Sequence, residues 1–199
     1  MARAVVTAAT SWAAGPAEHE LERAQVGGAA MLRHAASGVV FLPWYRGFRV
    51  ERVYRYDDAG RNVSARYAAG PAALVSVYVF PSDRGSDGAV GATFEASVRD
   101  MLAGLAPPLW AHERGTAFAS AAGEAVAGRR VEACGRVVDD PGPPRQVFVE
   151  AFEHGAWVLK FRATYRAELR ADVEGFVCAW LAASGFGAPG ALTRRRAAG

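Results

Sequence analysis

The chain has 199 residues and a mass of 21.1 kDa, with 51% hydrophobic and 22% charged residues, which excludes a disordered chain and favours one domain with extended ends. Three arginines at positions 194–196 account for the whole formal net charge of +3, so the rest of the chain is balanced in charge. No apolar run is long enough to span a membrane, and two cysteines are too few for a disulfide scaffold or a four-cysteine zinc site.

Residues 1–37 carry only a weak pattern and are predicted to form a leader and a weak helical segment. A basic start at residues 1–3 precedes a weakly apolar segment, as in an export signal, but Thr7, Thr10 and Ser11 dilute it, so a cytoplasmic location is favoured over export. Residues 18–33 contain leucines at loosely helical spacing and predict a short helix, which Gly27 and Gly28 weaken.

Three strands are predicted next. Aromatic and apolar residues alternate with charged ones from Phe48 to Tyr56, which indicates a half-buried strand. Turn residues follow at 57–60, and a second alternating segment runs from Val63 to Tyr67. Residues 74–80 are apolar at nearly every position, which predicts a central strand covered on both faces.

A helix is predicted at residues 87–105, with Asp87 as its N-cap and Pro107-Pro108 after its end. Its apolar stripe at helical spacing indicates core packing and consists of Val90, Phe94, Val98, Met101, Leu102 and Leu105. Residues 116–127 are mostly small and are compatible with helix or strand. Residues 129–138 predict a strand.

A closing hairpin and a final helix complete the predicted domain. Residues 147–153 and 157–165 form the two strands of the hairpin. The final helix, at 167–184, carries an apolar side, and Gly185 is positioned to cap its C-terminus. The predicted organisation is a single α+β domain at 38–186 and a disordered Arg-rich tail at 187–199, whose deletion should leave thermal stability nearly unchanged.

The register of the hairpin depends on its loop. With a three-residue loop of His154, Gly155 and Ala156, Glu150 lies opposite Lys160 as a cross-strand ion pair. The other face then carries one apolar patch, made of Val147, Val149 and Ala151 against Leu159, Phe161 and Ala163. We predict this register.

The order of strands, helix, strands and helix predicts an α+β fold with a mostly antiparallel sheet packed with helices. This order, with the strand from Gly155 to Tyr165 leading into the last helix, resembles the PsbP/DcrB-like (Mog/PsbP fold) superfamily of α/β sandwiches, in particular its uncharacterised bacterial members. Arg166 stands where those members have proline. The resemblance covers residues 38–185, and it implies binding, adaptor or assembly roles without a shared catalytic site.

No catalytic, metal or cofactor motif is convincing. A match to G-x-G-x-x-G at residues 185–190 follows a helix instead of preceding one, so it is a chance match. The four histidines (His19, His34, His112 and His154) lack metal-site spacing. Cys134 and Cys178 lie off the core faces of their elements and are expected to be independent free thiols. We expect no metal and no cofactor.

A noncatalytic binding module for an unknown protein or small-molecule partner is therefore the preferred function. A protein-assembly or secretion adaptor or chaperone is the alternative, and an enzyme is third; an enzyme would need Glu150, Lys160, Arg162 and a histidine to converge in one pocket. Candidate binding residues are Trp44, Tyr45, Arg46, Lys160 and Arg162, although packing at a sheet edge would also explain the first three.

Two further expectations concern partners. No nucleic-acid partner is expected, because Glu51, Asp57 and Asp58 interrupt the basic and aromatic stretch that begins at Arg33. The oligomeric state cannot be read from the sequence.

Overall fold

A computed structural model describes residues 21–26, 29–82, 89–120, 123–138, 140 and 142–186. These residues form eleven strands and two helices, with a short 3-10 turn at Ala167–Leu169. In chain order the elements are β1 (Leu21–Val26), β2 (Ala29–His34), β3 (Val40–Phe41), β4 (Trp44–Tyr45), β5 (Phe48–Arg55), β6 (Val63–Ala69), β7 (Ala73–Pro81), α1 (Ala89–Ala103), β8 (Leu105–Ala119), β9 (Ala125–Val137), β10 (Arg145–His154), β11 (Trp157–Tyr165) and α2 (Arg170–Ala183).

One large antiparallel sheet organises the molecule. Its eight strands follow the order β4-β5-β6-β7-β11-β10-β9-β8, and β1, β2 and β3 form a separate small sheet. With two helices packed on this sheet, the α+β fold with a mostly antiparallel sheet predicted from the sequence is confirmed.

One face of the large sheet packs against α2 and is called the α2 face. Phe176 and Trp180 of α2 are buried there against Tyr67 and Phe161, and the Trp180 Nε1–H donates a hydrogen bond of 3.1 Å to the Tyr67 hydroxyl. The small sheet adds to the same core, because Phe41 contacts Trp180 with ring centroids 5.5 Å apart. The predicted apolar side of the last helix is confirmed, and Gly185 follows it at φ 69°.

The opposite face packs against α1 and is called the α1 face. Phe94 and Met101 are buried there against Val147, Val149 and Ala151. This confirms the core role of the α1 stripe, whereas the predicted N-cap Asp87 lies outside the described residues, as do the leader before Leu21 and the tail after Phe186.

The helix predicted at residues 18–33 is wrong, since β1 and β2 form an antiparallel pair there. A glycine pair in mid-helix costs roughly 2 kcal/mol in propensity, which favours an extended pairing. Leu32 and His34 are buried with Arg33 half-buried between them, the period-two pattern of a strand.

The strand β8 was only partly anticipated. It starts at Leu105 and includes Pro107 and Pro108. The sequence analysis interpreted these two prolines only as the end of a helix and did not predict a strand there. Proline lacks an N–H, so a strand tolerates it at a sheet edge, and the pairing with β9 shifts register around Pro108.

The predicted register of the closing hairpin is also wrong. His154 pairs with Trp157 across a two-residue loop, so Glu150 lies opposite Phe161 and Lys160 lies opposite Ala151. Gly155 has φ 63°, which suits the first position of a tight two-residue hairpin turn. The assumed single apolar face does not exist, because a helix covers each side of β10 and each side therefore takes its own apolar residues.

Candidate functional site

The five binding residues predicted from the sequence divide between the two faces of the sheet. Trp44 pairs with Arg49 on the α1 face and is 66% exposed. Tyr45 points to the other side, where its ring lies 6.4 Å from that of Phe176, and Arg46 follows it in the turn at φ 44°. Tyr45 thus packs on the core, as the alternative reading of this loop proposed.

Lys160 and Arg162 lie on the α1 face, where they pair with Ala151 and Val149. Glu150 lies on the α2 face, because it pairs with Phe161. The convergence of Glu150, Lys160 and Arg162 that an enzyme would need is therefore absent from the described structure.

Trp44, Lys160 and Arg162 share their side of the sheet with further cations and aromatic rings. Pairing across β4, β5, β6, β7 and β11 places these side chains on one surface, which we call the open face. Its cations are Arg49, Arg52, Arg66, Lys160 and Arg162, and its aromatic residues are Trp44, Tyr54, Tyr56, Tyr78 and Phe80.

The open face contains a row of stacked tyrosines. The rings of Tyr54 and Tyr56 lie 6.4 Å apart and those of Tyr56 and Tyr78 lie 6.2 Å apart, with interplanar angles of 27° and 30°. The Tyr56 hydroxyl is 3.0 Å from the hydroxyl of Ser64, which is buried beneath the rings. Tyr56 itself remains 53% exposed, so the row presents aromatic surface to solvent.

Lys160 ends the tyrosine row. Its Nζ donates a 2.9 Å hydrogen bond to the Ser97 hydroxyl of α1 and lies 4.3 Å from the centre of the Tyr78 ring. The pKa of Lys160 is lowered to about 8, mainly by burial and secondly by the charge of Arg162, while the charge of Asp100 opposes the change.

An arginine row runs beside the tyrosine row. Arg52 pairs with Arg66, Arg66 with Ser76, and Ser76 with Arg162, so the three arginines lie in one line across the strands. All three are exposed. Glu51, which is 3.2 Å from Arg66, is the acidic residue that forms an ion pair with this row.

No described element covers the open face over β4 to β7, and α1 reaches only its β11 end, where Ser97 contacts Lys160. Helix α1 packs mainly on β10 and β8, and α2 and the small sheet lie on the opposite side. The predicted cover on both faces of β7 is therefore wrong: alternate residues from Ala73 to Val79 are buried, and those from Leu74 to Phe80 are only half-buried.

A second candidate site is a cleft of about 350 Å³ between α2 and strands β8 to β10. Arg114, Thr116 and Glu174 line its polar end, and Phe118, Val177 and Leu181 are among the residues that line its apolar end.

Arg130 lies at the floor of this cleft in a cluster of carboxylates. Its guanidinium is 2.6 Å from Glu132, 3.4 Å from Glu150, and doubly hydrogen-bonded to Glu174, while its Cζ lies 3.8 Å from the centre of the Phe148 ring. The charge of this buried guanidinium is therefore compensated by three neighbouring carboxylates.

The carboxylates in the cluster differ in their electrostatics. Burial raises the pKa of Glu150, and the charge of Arg130 offsets this only in part. Burial also acts on Glu132, but Arg130, Arg114 and Arg170 outweigh it and lower the pKa of that carboxyl. The positive and negative charges at the cleft balance, which is typical of a structural network.

Other chemistry is scarce in the described part of the chain. Its two cysteines, half-buried Cys134 and exposed Cys178, are free thiols, as predicted. No group of three or more potential metal ligands occurs there. None of its helices has the length and apolar character that a membrane crossing requires.

Comparison with known proteins gives one finding at the level of fold. The chain is similar to the solution structure of cyanobacterial PsbP (CyanoP) from Synechocystis sp. PCC 6803, with a TM-score of 0.43 and 16% sequence identity, covering 81% of this chain and 91% of that one. No protein-family model and no curated protein matches the sequence.

Sequence reasoning named Trp44, Lys160 and Arg162 as candidates but missed the tyrosine row and the other arginines. Regular alternation places Tyr54 and Tyr56 on the side of the buried Phe48, and only the bulge between Val50 and Arg52 brings them to the open face. What the sequence alone does not provide is the pairing of β7 with both β6 and β11, which brings Tyr78 and Lys160 to the same surface.

Proposed function

We propose that this protein is a noncatalytic binding module that holds an anionic partner on its open face. The observation that carries the proposal is the presence of five cationic side chains among aromatic rings, of which those of Trp44 and Tyr56 are exposed, on a part of the sheet that described elements leave uncovered except at Lys160. One acidic residue, Glu51, pairs with that row, so the local charge is strongly positive although the chain without its terminal arginines is neutral. A surface of this kind attracts and orients an anion.

A noncatalytic role fits the separation of reactive groups. The buried carboxylate Glu150 and the amine of Lys160 lie on opposite faces of the sheet, and the cations near Glu150 are engaged by other carboxylates. Lys160 is a half-buried base on the open face, and the buried acids of the described residues, Glu132 and Glu150, lie on the α2 face. The open face therefore lacks a buried acid–base pair, which fits a surface that binds and orients a partner without acid–base chemistry.

Retention on a heparin column tests the proposal. The double variant Arg66→Ser/Arg162→Ser should elute at clearly lower salt than wild type, because two cations of the open face are lost. The matched control is Arg99→Ser/Arg136→Ser, which removes the same charge from exposed positions outside that face. Equal shifts in both double variants would contradict the proposal, since net charge alone would then explain retention.

A second candidate function, an assembly adaptor, is favoured by one observation. Strand β8 is a fifteen-residue edge strand that is exposed along most of its length, with Leu109 68% and Trp110 40% exposed. A long free edge offers unpaired backbone N–H and C=O groups to a strand of another chain.

Light scattering coupled to size exclusion tests this candidate. If β8 pairs between chains, wild type is oligomeric and Trp110→Lys is monomeric, because lysine on an edge strand opposes such pairing. The control is Val138→Lys, at an exposed apolar position beyond β9. A monomeric wild type at high concentration would rule out pairing between copies of this chain.

A further inference from the structure

The open face has a regular layout that narrows the class of anion it fits. Lys160 and Arg162, like Tyr54 and Arg52, stand two residues apart on their strands, so the tyrosine row and the arginine row are about 7 Å apart. Both rows cross the strands at right angles. The face therefore presents a line of aromatic rings parallel to a line of guanidinium groups.

A second aromatic position lies beyond the arginine row. Trp44 pairs with Arg49, and Arg49 pairs with Ala68, two residues along β6 from Arg66. The arginines are thus flanked by tyrosine rings on one side and by the exposed Trp44 ring at the edge of the sheet.

From this layout we propose that the anionic partner is a single-stranded nucleic acid, with its phosphates on the arginine row and its bases stacked on the aromatic rings. The inference rests on the proposed function of the open face. In a nucleotide the sugar separates the base from the phosphate. The distance between the tyrosine row and the arginine row is similar to that between base and phosphate. Arginine contacts to phosphate and aromatic stacking with bases are the two interactions that single-strand binding surfaces combine.

The width of the open face determines how many nucleotides it can bind. The four strands β5, β6, β7 and β11 span three inter-strand spacings, about 14 Å in all. An exposed sheet with aromatic residues of this extent stacks about two or three bases. A longer nucleic acid would extend toward Trp44 at one edge of the sheet.

A duplex fits this surface poorly. Its bases are stacked on each other and offer no ring face to Tyr56, and a broad sheet face does not enter a groove. An acidic peptide would satisfy the arginines but would leave the tyrosine row unused. Single-stranded RNA and single-stranded DNA share the chemistry that the face recognises, and the experiment has an arm for each.

Fluorescence anisotropy tests the inference with labelled oligonucleotides of about 12 nucleotides, as RNA, as DNA and as a DNA duplex, together with a poly-glutamate peptide. Wild type should bind both single strands, more tightly than the duplex or the peptide, and the affinity should fall steeply with salt. Tyr56→Ala should weaken single-strand binding by about 5- to 100-fold through lost stacking, while Tyr56→Phe, which keeps the ring, should bind like wild type.

The arginine row has its own readout. Arg66→Ser/Arg162→Ser should reduce the slope of log affinity against log salt for a single strand by about 1.4, while Arg99→Ser/Arg136→Ser leaves it unchanged. Thermal melting of each variant shows that the fold is kept.

The outcomes separate the two levels of the proposal. The single-strand inference would be overturned if poly-glutamate or the duplex bound as tightly as the single strands or more tightly, or if Tyr56→Ala kept the wild-type affinity. The proposal of an anionic partner would then still hold. No binding of any of the four probes would overturn both.

Discussion

Lys160 is the only lysine of the chain, and its amine lies between the Ser97 hydroxyl and the Tyr78 ring. Because burial disfavours its charged form, we predict that the amine titrates with a pKa of about 8, well below the ordinary 10.5. Selective isotope labelling of lysine gives a single side-chain resonance whose midpoint is read directly. A midpoint near 10.5 would contradict the described position of the side chain.

The same group has a consequence for stability. Between pH 8 and 10.5 the unfolded chain holds the Lys160 proton more firmly than the native state does, so this group raises the free energy of unfolding as pH rises through that window. The effect is visible mainly below about pH 10, because above that pH the tyrosines of the unfolded chain ionise and also change the free energy of unfolding. Lys160→Met should lack this rise, which a series of urea denaturation curves would detect.

Glu132 and Glu150 are both buried beside Arg130, yet we predict that loss of charge affects the free energy of unfolding much more at Glu132 than at Glu150. Glu132→Gln should destabilise the protein by about 3 kcal/mol at pH 7, because Arg130, Arg114 and Arg170 lose their shared carboxylate. Its pKa is lowered in the native state, so this stability is present above pH 4.5 and is lost as pH falls below it.

Glu150→Gln should change stability by less than about 1 kcal/mol, since burial raises the pKa of Glu150 and its charge is costly to hold. Denaturant unfolding of the two variants at pH 7 and at pH 4 makes the comparison. Equal destabilisation by both would show that the cluster does not distinguish its carboxylates.

At the scale of the element, Gly128 and Gly115 show how closely strands pack. A Cβ at Gly128 of β9 would lie 2.5 Å from a ring carbon of Phe152 and 2.6 Å from the backbone oxygen of Ala151, whereas one at Gly115 of β8 would meet nothing within 4 Å. We therefore predict that Gly128→Ala costs about 1–3 kcal/mol through overpacking.

Gly115→Ala is the matched control, and it should alter the free energy of unfolding by less than about 0.5 kcal/mol. Chemical denaturation of both variants provides the measurement. Similar values for the two would mean that β9 and β10 are not packed as closely as described.

Local pattern predicted most elements, and the failures have physical causes. Alternation identified β5 and β6, and the apolar stripes of α1 and α2 indicated both helices. The alternation of β5 placed Val50 and Tyr54 on one side, whereas the bulge between Val50 and Arg52 puts them on opposite faces of the sheet. The predicted register of β10 and β11 is wrong because a helix covers each side of β10, so its apolar residues do not mark a single face. The helix predicted where β1 and β2 lie is wrong because pairing of the two strands with each other and with β3, and not the spacing of their residues, determines the structure.

The open face concerns the same limit for function. The sequence predicts no nucleic-acid partner, because Glu51, Asp57 and Asp58 interrupt the basic stretch, and this stays a prediction from which our proposal for the open face departs. Surfaces of a sheet are assembled across strands, so residues far apart in sequence, such as Arg66 and Arg162, lie in one row. Linear spacing does not contain that information, although the alternation of each strand does contribute to it.

For the whole molecule, the two faces of the sheet are covered to different extents. The α2 face buries the larger core together with the small sheet and the charge cluster of Arg130. Helix α1 packs mainly on β8 and β10, which leaves the half of the α1 face with the cations and rings largely uncovered. If the proposed function holds, substitutions of the exposed open-face arginines should weaken binding without unfolding the protein, because these residues lie outside both cores.

Mapping of backbone amide shifts during titration with a heparin oligosaccharide tests the central claim, that the open face binds an anionic partner. We predict that the perturbed amides cluster in β5, β6, β7 and β11, around Tyr54, Arg66, Tyr78 and Arg162, and that the shifts diminish as salt is added. Perturbations confined to residues 187–199 or to the cleft beside α2 would contradict the claim.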